Sequence, residues 1–316
     1  MAMPLVETKN LRKYFKTGAG TLHAVEDVNL KIMPGKTLGV VGESGCGKST
    51  LGRTILRLQP ATGGEVLYNG ENILKYRGKD MQKIHLNMQM VFQDPYSSLD
   101  PRMSVHNLIA EPVQVCGLLK TKAEINEHVR EIMDMCGLPA DQANLYPHEL
   151  DGGLRQRVGL ARAMAVSPKF IVCDEPVSAL DVSIQAQILN LLMDLQEQRE
   201  LSYMFITHDL CVVKHISDEI MVMYMGQVVE HAKTAELFAN PVHPYTEALL
   251  HAVPTIDLSR RNREGFMLRG EVTSPINPAP GCRFAPRCPY ATDKCRENVC
   301  LKEVSPDHFV ACSLCD

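Results

Sequence analysis

Residues 42–50 read GESGCGKST and fit the spacing G-x-x-x-x-G-K-[ST] with Gly42, Gly47, Lys48 and Ser49. Glycines at this spacing let a backbone wrap closely around a triphosphate. The loop residues Ser44, Gly45, Cys46, Gly47 and Thr50 then offer their N–H groups to its oxygens. Lys48 supplies a mobile positive charge, and the Ser49 hydroxyl suits Mg²⁺. Farther along, FIVCDE closes on Asp174 and Glu175. Two acids at the carboxyl end of a strand stand where α/β sheets place ligand chemistry. Asp174 would hold Mg²⁺, directly or through water, and Glu175 would polarise an attacking water. Taken alone, such a pair is a solvated turn.

Two further residues end apolar runs. His208 follows YMFIT, within reach of a γ-phosphate, and Gln93 ends VFQ with a carboxamide suited to Mg²⁺ or water. Each by itself is equally a structural residue. The stretch HELDGGLRQR, residues 148–157, poses a conflict. Gly152 and Gly153 open a helix whose free N–H groups form a natural anion site. Asp151, just before them, is itself an anion and also a good helix cap.

Alternating elements must position these residues. TLGVVGE (37–43) reads as a strand running into the glycine loop, and KSTLGRTILRL (48–58) has helical spacing. QMVFQDP (89–95), KFIVCDE (169–175) and SYMFITHD (202–209) read as strands. Residues 104–136 read as two helices, the first kinked or capped at its Pro. SIQAQILNLLMDLQEQ (183–198) sets Ile184, Ile188, Leu191 and Leu195 on one helical face. Strands separated by helices imply an α/β fold with a parallel, helix-covered sheet. LHAVEDVNLKI (22–32) adds an antiparallel β portion, and 254–281, rich in Pro, Gly and Arg, reads as a linker.

The chain has 316 residues, 45% hydrophobic and 22% charged, with a net charge of −4. That balance excludes broad, non-specific nucleic-acid binding. The start, MAMPLVETKN, has no basic segment before an apolar run, so no signal peptide is expected, and no apolar stretch approaches a membrane span.

The order GESGCGKST, VFQDP, LDGGLRQR, FIVCDEPVSALD, ITHD resembles the nucleotide-binding subunit of an ATP-binding-cassette (ABC) transporter over roughly residues 4–250. The resemblance implies that 42–50 is the Walker A loop and Gln93 the Q-loop glutamine. It makes 150–154 the signature, Asp174 and Glu175 Walker B, Asp181 part of the D-loop and His208 the switch histidine. Phe15 in LRKYF would stack on adenine, with Tyr14 the alternative and a plain core aromatic the third option. The implied fold is a P-loop ABC ATPase core with an antiparallel β portion, a helical signature subdomain (about 95–165) and a small Cys-rich extension. The implied domains are 1–253 and 254–316.

NPVHPYTEALLHAVP (240–254) and the later GCRFAPRCP narrow the resemblance to the oligopeptide/dipeptide/nickel importer ATPases. That family implies ATP and Mg²⁺ as cofactors. It implies a second ATPase subunit, two membrane permeases, an extracytoplasmic binding protein and a peripheral place on the cytoplasmic membrane face. The permeases would meet the surface near DPYSSLDPRMS (94–104).

Six of the 11 cysteines fall after residue 281, which in a chain without an export signal reads first as metal binding. The resemblance implies a 4Fe–4S cluster on Cys282, Cys288, Cys295 and Cys312, in a tail lying outside the cassette. Zinc ranks second, given the C-x2-C pair Cys312 and Cys315 with His308 close in sequence, and no metal ranks third. Cys300 and Cys315 are extra to the pattern.

The family's signature is L-S-G-G-Q, whereas this chain has Leu150, Asp151, Gly152, Gly153, Leu154. A carboxylate offers no donor to a γ-phosphate, so the expectation is an asymmetric pair with a distinct ATPase partner. The alternative class is an ABC ATPase that works on nucleic acid or ribosomes. The single cassette, the short middle segment without sustained heptads and the negative charge disfavour it.

Overall fold

The computed structural model describes residues 3–252, 274–297 and 299–315. Most of the expected linker, and the expected boundary after residue 253, lie outside the described residues. The strands in chain order are β1 (Val6–Thr17), β2 (Gly20–Ile32), β3 (Thr37–Val41), β4 (Gly63–Tyr68), β5 (Glu71–Asn72), β6 (Met88–Val91), β7 (Phe170–Asp174), β8 (Ser202–Ile206), β9 (Glu219–Tyr224), β10 (Gln227–Lys233), β11 (Lys302–Ser305) and β12 (His308–Val310). The helices are α1 (Lys48–Ile55), α2 (Lys79–Asn87), α3 (Pro95–Ser98), α4 (Val105–Val115), α5 (Lys122–Met135), α6 (Gly152–Met164), α7 (Val182–Arg199), α8 (Leu210–Ile216), α9 (Thr234–Ala239) and α10 (Pro244–His251). They fall into two compact units. One holds Ile32–Lys36 and Lys75–Met204, the other Met3–Lys31, Thr37–Leu74 and Phe205–Asp316.

In the first unit β6 runs parallel to β7, from Met88 opposite Phe170 to Val91 opposite Cys173. All five β7 residues are buried, which explains an apolar run without alternation. β6 stops at Val91, so Gln93 stands in the loop beyond it rather than on the strand. The helical part covers α3 to α6. Ser104 caps α4, and Thr121 with Glu124 forms a reciprocal capping box on α5. Pro112 does not end α4, which runs on to Val115.

The second unit carries a sheet ordered β2-β1-β4-β5, the expected antiparallel portion. It also carries β3 parallel to β9, followed by β10, β12 and β11, all antiparallel. The parallel sheet expected from the alternation therefore becomes mixed here. The C-terminal extension is not an appendage outside the cassette, as the sequence suggested. Its hairpin β11–β12 extends the sheet, and Phe284 and Tyr245 join one core cluster with Val41, Leu210, Val222 and Tyr224. A fully buried aromatic of this kind contributes about 1.5–3 kcal/mol, enough to hold a segment of few regular elements in place.

Glu230, fully buried on β10, fastens this arrangement. Its carboxylate accepts from the Val242 and His243 N–H groups (2.8 and 3.0 Å) and contacts His308 Nε2 at 2.8 Å. Pro244 occupies the first turn of α10, and the His243 side chain caps that helix by accepting from Tyr245 N–H. Among the described residues no helix is long and apolar enough to cross a membrane.

Candidate nucleotide site

The phosphate loop joins β3 to α1 in the second unit. Gly42, Gly45 and Gly47 adopt φ of +151°, +77° and +107°. At Gly42 a Cβ would lie 2.2 Å from the Met223 carbonyl oxygen, and at Gly47 2.1 Å from that of Ala24. Both glycines are thus dictated by close backbone approach as well as by φ. Lys48 is 4% exposed, and its Nζ donates to the carbonyls of Gly42 (2.7 Å) and Glu43 (3.1 Å). Cys46 N–H donates to Glu43 O, and Gly226 N–H to Cys46 O. Cys46 is buried, which raises its thiol pKa, so it serves the loop through its backbone rather than as a thiolate. Ser44 and Gly45 are exposed at the loop's tip, while Ser49 and Thr50 open α1 and are half-buried.

His208 is exposed just beyond β8, where Thr207 N–H donates to Val40 O and Asp209 caps α8. On β1 of the same unit, Phe15 is half-buried with the Lys13 ammonium 4.6 Å from its ring centre. Tyr14 is already engaged. Its hydroxyl bonds Glu26, and its ring stacks on His23 at 4.1 Å. Burial, then the Glu26 bond, push the Tyr14 phenol up to about 12.

The first unit holds the other candidates. Asp174 ends β7 at 0% exposure, and Glu175 follows with φ +47°. A left-handed glutamate costs about 1–2 kcal/mol and persists only where the surroundings over-determine it. The strain turns the chain sharply at the strand end, and Gln93 Nε2 donates to Glu175 Oε2 at 3.1 Å. The structure thus brings together two residues separated by 82 positions that the sequence offered only as isolated signals. Asp181 caps α7 through Ile184 N–H, a bond that lowers its pKa.

Asp151 caps α6, its Oδ1 accepting from Leu154 N–H at 2.8 Å. The aspartate therefore does what serine would do for the helix. Gly153 is required by packing, since a Cβ there would lie 2.7 Å from Ile184 Cγ2. A Cβ at Gly152 would lie 3.1 Å from Leu180 Cδ2. The start of α6 thus sits directly on the segment that follows the strand-end acids. Arg155 Nε donates to Pro147 O, and its guanidinium lies 5.1 Å from the Tyr96 ring centre. Tyr96 is 57% exposed in the 94–104 stretch.

In the tail, Cys282, Cys288 and Cys312 are half-buried and Cys295 is buried. Burial raises the Cys282 thiol to about 11 and also raises Cys288 and Cys312. Burial acts the same way on Cys295, but hydrogen bonds with Ser313 and Thr292 outweigh it and its pKa is lowered. Cys300 is exposed, and Cys315 shares a hydrogen bond with Cys312. His308 does not join the thiols: its Nε2 faces Glu230 and its Nδ1 faces Glu236 at 3.8 Å, which removes the support it lent to zinc. Among the described residues, no group of three or more His, Cys, Asp or Glu is arranged to hold a metal ion. The donor chemistry of the thiols suits a soft metal.

Sequence reasoning missed Glu26, Glu43, Tyr245, Arg283 and Arg287, which link the tail to the loop region. Glu43 lies at a free position of the loop motif, and both arginines lie between cysteines that draw the eye, so spacing carried no signal.

A strand, a glycine loop with a buried lysine and a following helix in one unit, and a strand ending in two acids in the other, are the parts of a phosphate-loop nucleotide-binding protein. A family model described as ABC transporter matches residues 25–178. Another, described as oligopeptide/dipeptide transporter, C-terminal region, matches residues 229–295. The chain is 47% identical over 315 residues to the putative oligopeptide transport ATP-binding protein YkfD of Bacillus subtilis (strain 168), covering 99% of this chain and 96% of that one. It is 48% identical over 315 residues to the oligopeptide transport ATP-binding protein OppF of the same organism, with 99% and 97% covered. Among solved structures, the dimeric cassette MJ0796 in a post-hydrolysis state bound to ADP and Pi is 30% identical with a TM-score of 0.67, covering 72% of this chain and 98% of that one. The chain belongs to the ABC transporter ATP-binding proteins, in the branch that carries the oligopeptide/dipeptide transporter C-terminal region.

Proposed function

We propose that this chain is the ATP-hydrolysing subunit that powers an importer of di- or oligopeptides. The observation that carries the reading is the full-length likeness to peptide-transport ATP-binding proteins in a chain whose phosphate loop is intact. Lys48, the loop from Gly42 to Thr50 and Phe15 bind ATP. Ser49, Gln93 and Asp174 hold Mg²⁺, Glu175 polarises the attacking water, and His208 contacts the γ-phosphate. Asp151, Gly152 and Gly153 face the ATP bound on a second, distinct ATPase subunit. Two permeases, met through the Tyr96 region, and an extracytoplasmic binding protein complete the importer at the cytoplasmic membrane face.

The test is purification from membranes, then reconstitution in vesicles with labelled peptide and ATP. ATP-dependent uptake that Lys48→Ala reduces by at least about 10²-fold is the expected result, since the loop's positive charge acts on the transferring phosphoryl group. Purification with nucleic acid or ribosomes instead of membrane subunits would overturn the reading.

Cys282, Cys288, Cys295 and Cys312 are assigned to a 4Fe–4S cluster with a structural role. The soft thiol chemistry of four cysteines in one short tail supports it. Protein purified without oxygen is expected to contain iron and acid-labile sulfide, and Cys288→Ser to lose both. Stoichiometric zinc without iron would sink the assignment.

A further inference from the structure

Glu43, the second residue of the phosphate loop, is held from three directions. Its N–H donates to Tyr245 Oη at 2.8 Å, and its carbonyl accepts from Lys48 Nζ at 3.1 Å. Its carboxylate is gripped by both terminal nitrogens of Arg287, at 2.8 and 3.1 Å. Tyr245 and Arg287 belong to the C-terminal region, more than two hundred positions away in the chain.

Both partners are themselves immobilised. The Tyr245 side chain is fully buried, edge-on to Tyr224 with ring centres 4.7 Å apart and against Phe284 at 5.4 Å. The Arg287 side chain is 7% exposed and also donates to Tyr224 Oη at 3.3 Å. A paired guanidinium–carboxylate fork in such surroundings fixes orientation as well as charge. The pairing raises the Arg287 pKa, with the Glu43 hydrogen bond the largest cause, so the guanidinium stays charged.

The same short segment also reaches β2, whose Glu26 N–H donates to Gly226 O while Gly226 N–H donates to Cys46 O in the loop. Arg283 Nη2 donates to Glu26 Oε2 at 2.8 Å, and its Nη1 bonds the Met225 carbonyl. Glu26 in turn bonds the Tyr14 hydroxyl and the His23 ring, beside Phe15. Burial acts to raise the Glu26 pKa, but these bonds outweigh it and the net shift is downward. Cys282 and Cys288 flank the segment that bears both arginines.

We propose that Arg287, with Tyr245, is a positioning residue for ATP: the C-terminal extension braces the phosphate loop of its own chain through Glu43. The brace holds the loop backbone in one conformation before nucleotide arrives, so less ordering remains when ATP binds. It rests on the reading of this loop as an ATP site. The extension is thereby a part of the nucleotide site, and its order sets the affinity of that site.

The experiment measures ATP affinity of the full chain by fluorescent-nucleotide displacement, alongside melting temperature, for wild type, Arg287→Gln, Glu43→Gln and the double variant. Each single variant is expected to weaken ATP binding about five- to tenfold, since removing one partner of a buried charged pair strands the other. The double variant is expected to be no weaker than either single one, because the two residues act through one contact. In the assembled ATPase carrying Arg287→Gln, KM for ATP rises by the same factor, while kcat at saturating ATP stays within about twofold of wild type. Should Arg287→Gln not fold, Arg287→Lys keeps the charge without the fork and is expected to weaken binding about threefold. Wild type that fails to bind ATP would fail the site reading itself. Wild type that binds, with Arg287 variants within twofold of it or with effects that multiply in the double variant, would overturn the brace.

Discussion

Replacing Glu175 by Gln is expected to lower ATP hydrolysis by about 10²–10⁴-fold, the usual contribution of a general base, while ATP binding stays near wild type. The substitution changes one oxygen to an amide nitrogen and leaves the side chain's length intact. The remaining amide oxygen can still accept from Gln93 Nε2, which donates to Glu175 in the structure. The substitution leaves the backbone at Glu175, φ +47°, with the same demand on a non-glycine residue. Asp174 and Lys48, both buried, are untouched. Nucleotide affinity and turnover should therefore separate. Measured side by side on the purified complex, undiminished hydrolysis in Glu175→Gln would remove Glu175 from the general-base role.

The second large effect concerns the two ATP sites of the assembled pair. Asp151 is committed as a helix cap, with Oδ1 accepting from Leu154 N–H. A carboxylate in that position brings no donor to a γ-phosphate. At about 4 Å each like-charge pair costs on the order of 1–4 kcal/mol, for effective dielectrics from 80 to 20. Each 1.4 kcal/mol is about tenfold, so the site completed by Asp151 should turn over at least about fivefold more slowly than the other. The site built on this chain's own Lys48, Asp174, Glu175 and His208 should carry most of the hydrolysis, opposite an intact signature on a distinct partner. Disabling the strand-end glutamate in one subunit at a time measures this directly. Equal losses from the two variants would mean equivalent sites and would end the asymmetry argument. Asp151→Ser, which keeps a capping oxygen, is expected to narrow the difference without changing the melting temperature.

Local chemistry made much of this readable in advance. The loop GESGCGKST carries its own reason for folding, because each glycine answers a positive φ or a backbone contact. The acids of FIVCDE mark a strand end because the preceding residues are apolar without alternation, the signature of a strand buried on both faces. The helix at Gly152 was legible from Asp151 as cap. Boundaries were less legible: β6 ends at Val91, before Gln93, since the hydrogen-bonded partner β7 sets how far pairing runs.

The sequence by itself determined the class of chemistry: a phosphate loop, a pair of strand-end acids, a capped signature helix and a thiol-rich tail. All of these rest on residues within a few positions of one another, where backbone conformation and side-chain type suffice. Only the tertiary structure decided where the tail belongs. The β11–β12 hairpin joins β10, Phe284 enters the core beside Tyr224, and Arg287 reaches Glu43. It likewise directed His308 to Glu230 rather than to the cysteines, and set Gln93 on Glu175. Such pairings join positions 78 to 244 residues apart. They are selected by which buried charge or ring can be satisfied once the core has closed, and no spacing along the chain encodes that.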